Sequence, residues 1–212
     1  MNTLISELLR PQSLDDVVID DITRERLTSM VESGNVMNML LYGRPGCGKT
    51  TVALIFVNSE KFDVLSINGS IDTSVDDVRT HIQRFCTSMS LYGKTKLVFI
   101  DEADYLSKNA QAGLRKVIEE CSNHARFIFT VNEVKKIHPA LCSRLLCLNF
   151  DMSASQITQS LDAYKSRVTS ILTQRYQSID LEKIHRIIHM NFPDYRTIAN
   201  HLEYELILVP RL

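Results

Sequence analysis

The chain has 212 residues, enough for one large domain or two small ones with a core that needs no disulfide or metal to stabilise it. Its 24 basic and 25 acidic side chains give a formal net charge of −1, which excludes a uniformly basic nucleic-acid-binding protein and an acidic disordered tail but permits a local basic patch. No apolar run approaches the ~20 residues that cross a bilayer, and the first 16 residues lack the basic start and apolar stretch of a signal peptide. The five cysteines include no CxxC pair, so we expect reduced thiols in a cytoplasmic protein that has no membrane partner.

Strands and helices are predicted to alternate along residues 1–150. In chain order the elements are a helix at 22–33, a strand at 38–42, a helix from 50 to about 58, a strand at 62–67, a helix at 75–89, a strand at 97–100, a helix at 110–121, and strands at 127–131 and 145–150. Apolar side chains three or four residues apart mark the helical faces, from Val75 to Met89 in one helix and from Ala110 to Cys121 in another. The strands are apolar without a period of two, which is typical of a parallel sheet covered on both faces. Residues 1–150 are therefore predicted to form an α/β domain.

The pattern changes near residue 151, after which no strand is evident. Ser153 and Gln156 have the spacing of a capping box, and apolar residues at helical spacing follow from Ile157 to Ile171. Further helices are predicted from about 181 to 190 and from about 194 to 206. Residues 151–212 are therefore predicted to form a small helical domain, with the apolar stretch 206–209 packed on it or docked on a partner.

A phosphate-binding motif lies between the first predicted strand and the next helix. Residues 43–50 read GRPGCGKT and match GxxxxGK[ST] in the strand–loop–helix context that this motif requires. Glycines allow backbone N–H groups to point at anionic oxygens, and the helix N-terminus adds a partial positive charge. Lys49 would reach the β- and γ-phosphates of a nucleoside triphosphate, and the Thr50 hydroxyl would coordinate Mg²⁺. The motif predicts nucleotide binding without specifying the enzyme.

Two acids follow the strand at 97–100. We expect Asp101 to hold Mg²⁺, directly or through water, and Glu102 to orient and activate the attacking water. The alternative is that both acids only cap the next helix. Residues 101–104 spell DEAD, but no Ser-Ala-Thr follows them and 212 residues leave no room for a second motor domain, which argues against a helicase of that family.

At this point the chain resembles the AAA+ ATPase subunits of sliding-clamp loaders, like the small subunits of replication factor C and especially the ATPase subunit of T4-like phages. The order and spacing of seven segments carry the resemblance: Leu9-Arg10-Pro11 with 14–18, Asn68-Gly69-Ser70 with Val78-Arg79, Asp101-Glu102-Ala103-Asp104, 110–116 with Glu119, Thr130-Val131-Asn132, Leu141-Cys142-Ser143-Arg144, and Phe192-Pro193-Asp194-Tyr195-Arg196. The resemblance implies a P-loop AAA+ domain with a parallel five-stranded sheet (residues 1–150), followed by an all-helical lid (residues 151–212).

The resemblance also implies a set of ATP-binding residues. They are Arg10, Pro11, Val17 and Val18 around the adenine, then Gly43, Arg44, Pro45, Gly46, Cys47, Gly48, Lys49, Thr50 and Thr51 of the loop, then Asp101, Asn132 and Arg196, with Thr50 and Asp101 as the metal ligands.

Catalytic roles are implied for Lys49, Glu102, Asn132, Arg144 and Arg196. Asn132 would bond the γ-phosphate or the attacking water, and Arg196 would contact the γ-phosphate of the same subunit. Arg144 would enter the ATP site of a neighbouring subunit and stabilise charge on the transferring phosphoryl group. The open alternatives are a turn asparagine, a solvent-exposed arginine at a helix start and a surface ion pair, respectively.

DNA contacts are implied for the polar faces of the two helices at 75–89 and 110–121. The candidate residues are Arg79, Gln83, Lys108, Arg115 and Lys116, which would contact the backbone of primer–template DNA without reading bases. The alternative is an ordinary solvated face. Because the net charge is near zero, the grip would have to come from several subunits, and binding by one chain should be weak and salt-sensitive.

Two departures from the family are visible. Leu145 follows Ser143-Arg144 where the family has a cysteine, and no residues remain for the helical collar domain of clamp-loader subunits. The expected function is ATP-dependent opening and loading of a sliding clamp on primer–template DNA, together with other loader subunits, in the cytoplasm (of the host, if a phage encodes it). The alternative is an ATP-binding switch that regulates or loads another replication protein and has little activity of its own.

Overall fold

The computed structural model describes residues 4–71, 75–90, 93–176 and 179–208. Contacts divide the chain into two compact units. The described residues of one, the helical unit, lie within Met1–Val18, Pro45–Gly48 and Asp151–Leu212, and those of the other, the sheet unit, lie within Ile19–Arg44 and Lys49–Phe150. In chain order the helices are α1 (Ile5–Leu8), α2 (Asp21–Ser33), α3 (Lys49–Val57), α4 (Val75–Thr87), α5 (Lys108–Glu120), α6 (Pro139–Cys142), α7 (Ala154–Arg175), α8 (Leu181–Asn191) and α9 (Tyr195–Glu203).

The sheet unit contains the five-stranded parallel sheet that the sequence predicts. Its strands are β1 (Met39–Tyr42), β2 (Phe62–Asn68), β3 (Thr95–Asp101), β4 (Ala125–Val131) and β5 (Leu146–Asn149), in the order β2-β3-β4-β1-β5. Every neighbouring pair is parallel, so the carboxyl ends of all five strands lie at one edge. Ligands of open α/β sheets bind at this edge.

The inner strands lack apolar–polar alternation because both of their faces are covered. Phe127, Ile128 and Phe129 of β4 are consecutive and fully buried, and the edge strand β5 is mostly exposed. The apolar stripes of α4 and α5 pack into the same core, where Ile82 and Val117 are completely buried.

The predicted stripe of α4 is wrong at its last member, Met89, which is 91% exposed. The helix ends at Thr87 because the buried Lys96 ammonium takes its last carbonyls, donating to the oxygens of Phe85 (2.6 Å) and Cys86 (3.2 Å). The side chain of Val75 lies outside the described residues.

The helical unit has its own core, to which α1, α7, α8 and α9 contribute buried residues such as Ile5, Val168, Ile188 and Leu202. The capping box at Ser153 is present as predicted, with Gln156 as its partner. Helix α9 ends earlier than predicted, at Glu203, and a π-helical turn spans Tyr204–Leu208. Leu206 packs against this core. The side chains of the other residues of the predicted apolar stretch, 207–209, lie outside the described residues.

The first 18 residues belong to the helical unit. The predicted division at residue 150 assigned them to the ATPase domain. The Arg167 guanidinium of α7 donates to the carbonyl of Leu9 (3.0 Å), and the N–H of Ile5 donates to the Glu203 carboxylate of α9. The segment is too short to build a core, so it buries its apolar residues against the helices.

Within the described ranges, no helix is long and apolar enough to span a bilayer. All five cysteines lie in those ranges, and none of them forms a disulfide.

Candidate functional site

The phosphate-binding loop follows β1 and leads into α3. Lys49, the first residue of α3, is only 6% exposed, and its Nζ donates to the carbonyls of Gly43 (2.7 Å) and Arg44 (2.8 Å). These bonds hold the ammonium close to the first two residues of the loop, at the carboxyl edge of the sheet. A cation held in this place suits a phosphate chain.

The two predicted metal ligands meet at this edge. The Thr50 hydroxyl donates to Oδ1 of Asp101, the last residue of β3, over 3.2 Å. A second hydroxyl, that of Thr130 on β4, donates to the same oxygen. Mg²⁺ prefers hard oxygen ligands from one or two protein groups, so Thr50 and Asp101 fit that ion. Thr130 is part of the segment that carries the family resemblance, and no pattern in the sequence marks its hydroxyl as a contact of Asp101.

Glu102 follows β3 with a strained backbone. Its φ of 54° places a residue other than glycine in the left-handed region, and its N–H donates to the Thr130 hydroxyl over 3.1 Å. Such conformations cost on the order of 1–3 kcal/mol and persist where the surroundings impose them, commonly at functional sites. Glu102 thus lies at the sheet edge, directly after Asp101.

Gly69, just after β2, is in close contact with this acid pair. Its N–H donates to the Asp101 carbonyl over 2.8 Å, and a Cβ placed on Gly69 would lie 2.7 Å from the carbonyl oxygen of Glu102. Only a residue without a side chain fits there. The sequence offers one signal for this position, a glycine two residues beyond the predicted strand at 62–67.

Asn132 lies just beyond β4, the strand beside β3. Its side chain is partly exposed, and its backbone N–H donates to Oδ2 of Asp104 over 3.3 Å. Lys49, Thr50, Asp101, Glu102 and Asn132 are therefore all placed by the carboxyl ends of the three adjacent strands β3, β4 and β1, or by the loop that follows β1.

Arg144 follows the short helix α6 and forms an ion pair with Glu119 of α5. Its Nε donates to Glu119 Oε1 over 2.8 Å, and Nη2 contacts the same oxygen. The guanidinium remains about one-third exposed. Within this chain Arg144 is thus a surface ion-pair residue, which was the alternative to its predicted role in a neighbouring subunit.

Gln111 is a buried polar residue that joins α5 to the segment before α6. Its Nε2 donates to the carbonyls of Leu106 and Lys136, both over 3.1 Å, and its Oε1 accepts from the N–H of His138 over 2.8 Å. The side chain is 3% exposed and every polar function is satisfied. Gln111 was not predicted as a functional residue. The available signal was its place next to Ala110, the first residue of the apolar stripe of α5.

The remaining predicted nucleotide contacts belong to the helical unit, which includes Pro45, Gly46, Cys47 and Gly48. The N–H of Tyr195 donates to the Gly46 carbonyl over 3.0 Å, and a Cβ on Gly46 would lie 2.0 Å from Oδ1 of Asp194. Asp194 caps α9, and Arg196 is exposed in the first turn of that helix. Burial raises the pKa of the Tyr195 hydroxyl.

The four predicted adenine-pocket residues also lie in the helical unit. Val17 is buried, Pro11 and Val18 are partly exposed, and Arg10 pairs with Glu7 over 3.1 Å.

The predicted DNA-contacting residues lie on α4 and α5, which pack against each other. Gln83 donates to Glu120 Oε2 over 3.0 Å, and the Lys116 ammonium lies 3.7 Å from Oε1 of the same carboxylate. Lys108 and Arg115 are exposed, and Arg79 is partly buried. The structure brings the five together on two adjacent helices, with Glu120 partly neutralising the group.

Comparison with known proteins reveals relatives along most of the chain. It is 32% identical over 203 residues to replication factor C subunit 3 of Blastobotrys adeninivorans, which is 93% of this chain and 58% of that protein. It is 32% identical to the replication factor C small subunit of Methanoregula boonei (98% of this chain, 64% of that protein) and 28% identical to the sliding-clamp-loader large subunit of Escherichia phage RB69 (94% and 63%). The chain thus spans less than two thirds of the length of these relatives.

A solved structure of Thermotoga maritima RuvB, a Holliday junction branch migration motor, superposes with a TM-score of 0.69 over 96% of this chain and 69% of that one. At 22% identity this likeness shows the fold alone. The family model described as "ATPase family associated with various cellular activities (AAA)" matches residues 39–151, which is more than half of the chain. The chain therefore belongs to the AAA family of ATPases.

Proposed function

We propose that this chain is an ATPase subunit of a sliding-clamp loader, which hydrolyses ATP when primer–template DNA and the clamp are bound. One observation carries the proposal: Asp101 accepts the Thr50 hydroxyl at the sheet edge where Lys49 is buried and Glu102 is held in its strained conformation. The similarity to replication factor C subunits and to a phage sliding-clamp loader supports a clamp loader over other kinds of AAA protein.

ATP binding is assigned to the loop and the buried ammonium. Backbone N–H groups of residues 43–51 would bind the phosphate oxygens, and Lys49 would exchange its carbonyl acceptors for the β- and γ-phosphates. Thr50 and Asp101 would hold Mg²⁺, which neutralises charge on the phosphates when it is bound. Arg10, Pro11, Val17 and Val18 would line the adenine site.

Water activation is assigned to Glu102 and Asn132. The Glu102 carboxylate would accept a proton from the attacking water, because it is the acid next to the metal ligand that makes no hydrogen bond to another side chain within the described residues. The Asn132 amide, carried by the adjacent strand, would orient that water or the γ-phosphate.

Two arginines would complete the site. Arg144 would leave Glu119, insert into the ATP site of the neighbouring subunit and stabilise transition-state charge there, so that a lone chain is a poor ATPase. Arg196 would contact the γ-phosphate bound by its own chain and report whether ATP or ADP is present.

DNA binding is assigned to the cations of α4 and α5. Arg79, Lys108 and Arg115 would contact phosphates, with Gln83 and Lys116 joining once they release Glu120. Because Glu120 offsets one of these charges, affinity should be low for one chain and fall steeply with salt.

Replacement of Glu102 by Gln tests the proposal. The change keeps the shape of the side chain but removes the proton acceptor, so DNA- and clamp-stimulated ATP turnover should fall by roughly 10²–10⁴-fold. The dissociation constant for ATP should stay within about threefold, since no phosphate contact is lost. Glu60→Gln, the same change at an exposed position, is the matched control and should leave both values unaltered.

The alternative function, an ATP-binding switch without catalysis, makes the opposite prediction. In that case clamp or partner binding would depend on ATP but survive in the Glu102→Gln variant, and the wild-type chain would show no turnover with primer–template DNA and clamp. This outcome would overturn the clamp-loader ATPase proposal.

A further inference from the structure

Asp104 links the acid-bearing end of β3 to the end of β4. It lies in a 3-10 turn, Ala103–Tyr105, two residues beyond Glu102. Its Oδ2 accepts from two successive backbone N–H groups, those of Asn132 and Glu133, each over 3.3 Å. The carboxylate therefore holds the backbone that carries the Asn132 side chain.

The other oxygen of this carboxylate is unusual. Oδ1 of Asp104 is buried, and among the residues that the structure describes it has no hydrogen-bond partner. A buried acceptor without a partner is unfavourable for folding, and such groups are rare in proteins. The unpartnered Oδ1 accompanies the two bonds that Oδ2 accepts, because an apolar side chain would avoid this penalty but would leave the N–H groups of Asn132 and Glu133 without their acceptor.

The position of the two bonds connects them to the chemistry. Thr130 and Asn132 are two residues apart along the end of β4. Thr130 bonds Asp101 and the N–H of Glu102, while Asp104 bonds the N–H of Asn132. The two contacts together fix the end of β4 against the acid-bearing turn that follows β3.

We propose that Asp104 is a positioning residue for ATP hydrolysis, which sets the placement of Asn132 relative to Glu102. The inference rests on the proposed ATPase function. A displacement of about 1 Å in a catalytic group costs on the order of 10²-fold in rate. Loss of Asp104 should accordingly slow turnover without weakening ATP binding, since it makes no contact with the phosphate-binding loop within the described ranges.

The test compares Asp104→Ala with Asp104→Asn in the full chain. Asparagine keeps an oxygen acceptor for the two N–H groups, whereas alanine removes it. Glu133→Ala is the matched control, because it removes an exposed acid next to Asn132, one paired with Lys136 at 2.7 Å, and leaves the Asn132 N–H bonded. If Asp104→Ala does not fold, Asp104→Ser, whose side chain is too short to reach β4, takes its place.

Three measurements are made on each variant: kcat with primer–template DNA and clamp, the dissociation constant for ATP, and amide hydrogen exchange at Asn132 and Glu133. Asp104→Ala should lower kcat about tenfold or more with ATP affinity within threefold, and exchange at both amides should quicken about tenfold. Asp104→Asn should restore kcat to within about threefold of the wild type, and Glu133→Ala should match the wild type.

The inference is overturned if Asp104→Ala keeps its kcat, if it loses ATP affinity and kcat to the same extent, or if the two amides exchange as in the wild type. A wild-type chain without stimulated turnover would instead refute the proposed function. The exchange data would then still show whether Asp104 holds the end of β4.

Discussion

Replacement of Gly69 by alanine perturbs the acid pair through a single added methyl group. That group would lie 2.7 Å from the Glu102 carbonyl oxygen and 3.2 Å from the Asp101 carbonyl oxygen, both of which are backbone atoms. Restoring an ordinary contact of 3.4 Å requires a shift of about 0.7 Å in the backbone of Glu102. Since a misplacement of about 1 Å costs roughly 10²-fold, we expect kcat to fall about 10- to 50-fold. Overpacking should also lower the free energy of unfolding by about 1–3 kcal/mol.

The assay is steady-state ATP turnover with primer–template DNA and clamp, together with ATP binding and urea unfolding. Gly93→Ala is the control: its φ of 65° strains an alanine, but an added Cβ meets nothing within 4 Å. This variant should lose about 1 kcal/mol of stability and keep its turnover. A Gly69→Ala protein with kcat within twofold of the wild type would show that Gly69 does not set the position of Glu102.

Three further predictions follow from individual contacts. Thr130→Val should cost about 1–3 kcal/mol in urea unfolding and raise the Mg²⁺ concentration needed for half-maximal turnover, because Asp101 loses one of its two hydroxyl partners; unchanged Mg²⁺ dependence would contradict this. Lys96→Met should lower the free energy of unfolding by about 2–3 kcal/mol, because the carbonyls that end α4 lose a charged donor; a urea midpoint equal to that of the wild type would contradict this. Burial raises the pKa of the Cys86 thiol to about 12, so iodoacetamide at pH 8 should modify the exposed Cys147 first, which peptide mass mapping would check; faster labelling of Cys86 would contradict its burial.

Most of the sheet unit could be predicted from the sequence because its inner strands are continuous apolar runs and its helices carry apolar stripes. The exceptions depend on tertiary contacts. Met89 satisfied the helical spacing, but Lys96 of the following strand β3 donates to the carbonyls that a longer α4 would use. The placement of the first 18 residues depended on contacts with α7 and α9 more than 140 residues away, which no local pattern reveals.

The candidate site was predictable where a short motif fixes both chemistry and position. Lys49, Thr50 and Asp101 lie at the same edge of the sheet, because the loop follows β1, Asp101 ends β3, and the strands of the sheet are parallel. Two further residues were not predictable in this way. Thr130 bonds Asp101 because of the register between β3 and β4, and Asp104 accepts from the backbone N–H of Asn132. Such contacts depend on tertiary structure and leave no periodic signal in the chain.

We propose that ATP is hydrolysed at a site that Arg144 of a neighbouring subunit completes. Mixing two inactive variants tests this role: Glu102→Gln keeps the arginine, and Arg144→Ala keeps the acids. If Arg144 acts across subunits, a random equal mixture restores a competent pair at about a quarter of the interfaces, and turnover with primer–template DNA and clamp should recover to about a quarter of the wild-type rate. Turnover no higher than the sum of the two variants measured separately would show that Arg144 does not act in the ATP site of a neighbouring subunit.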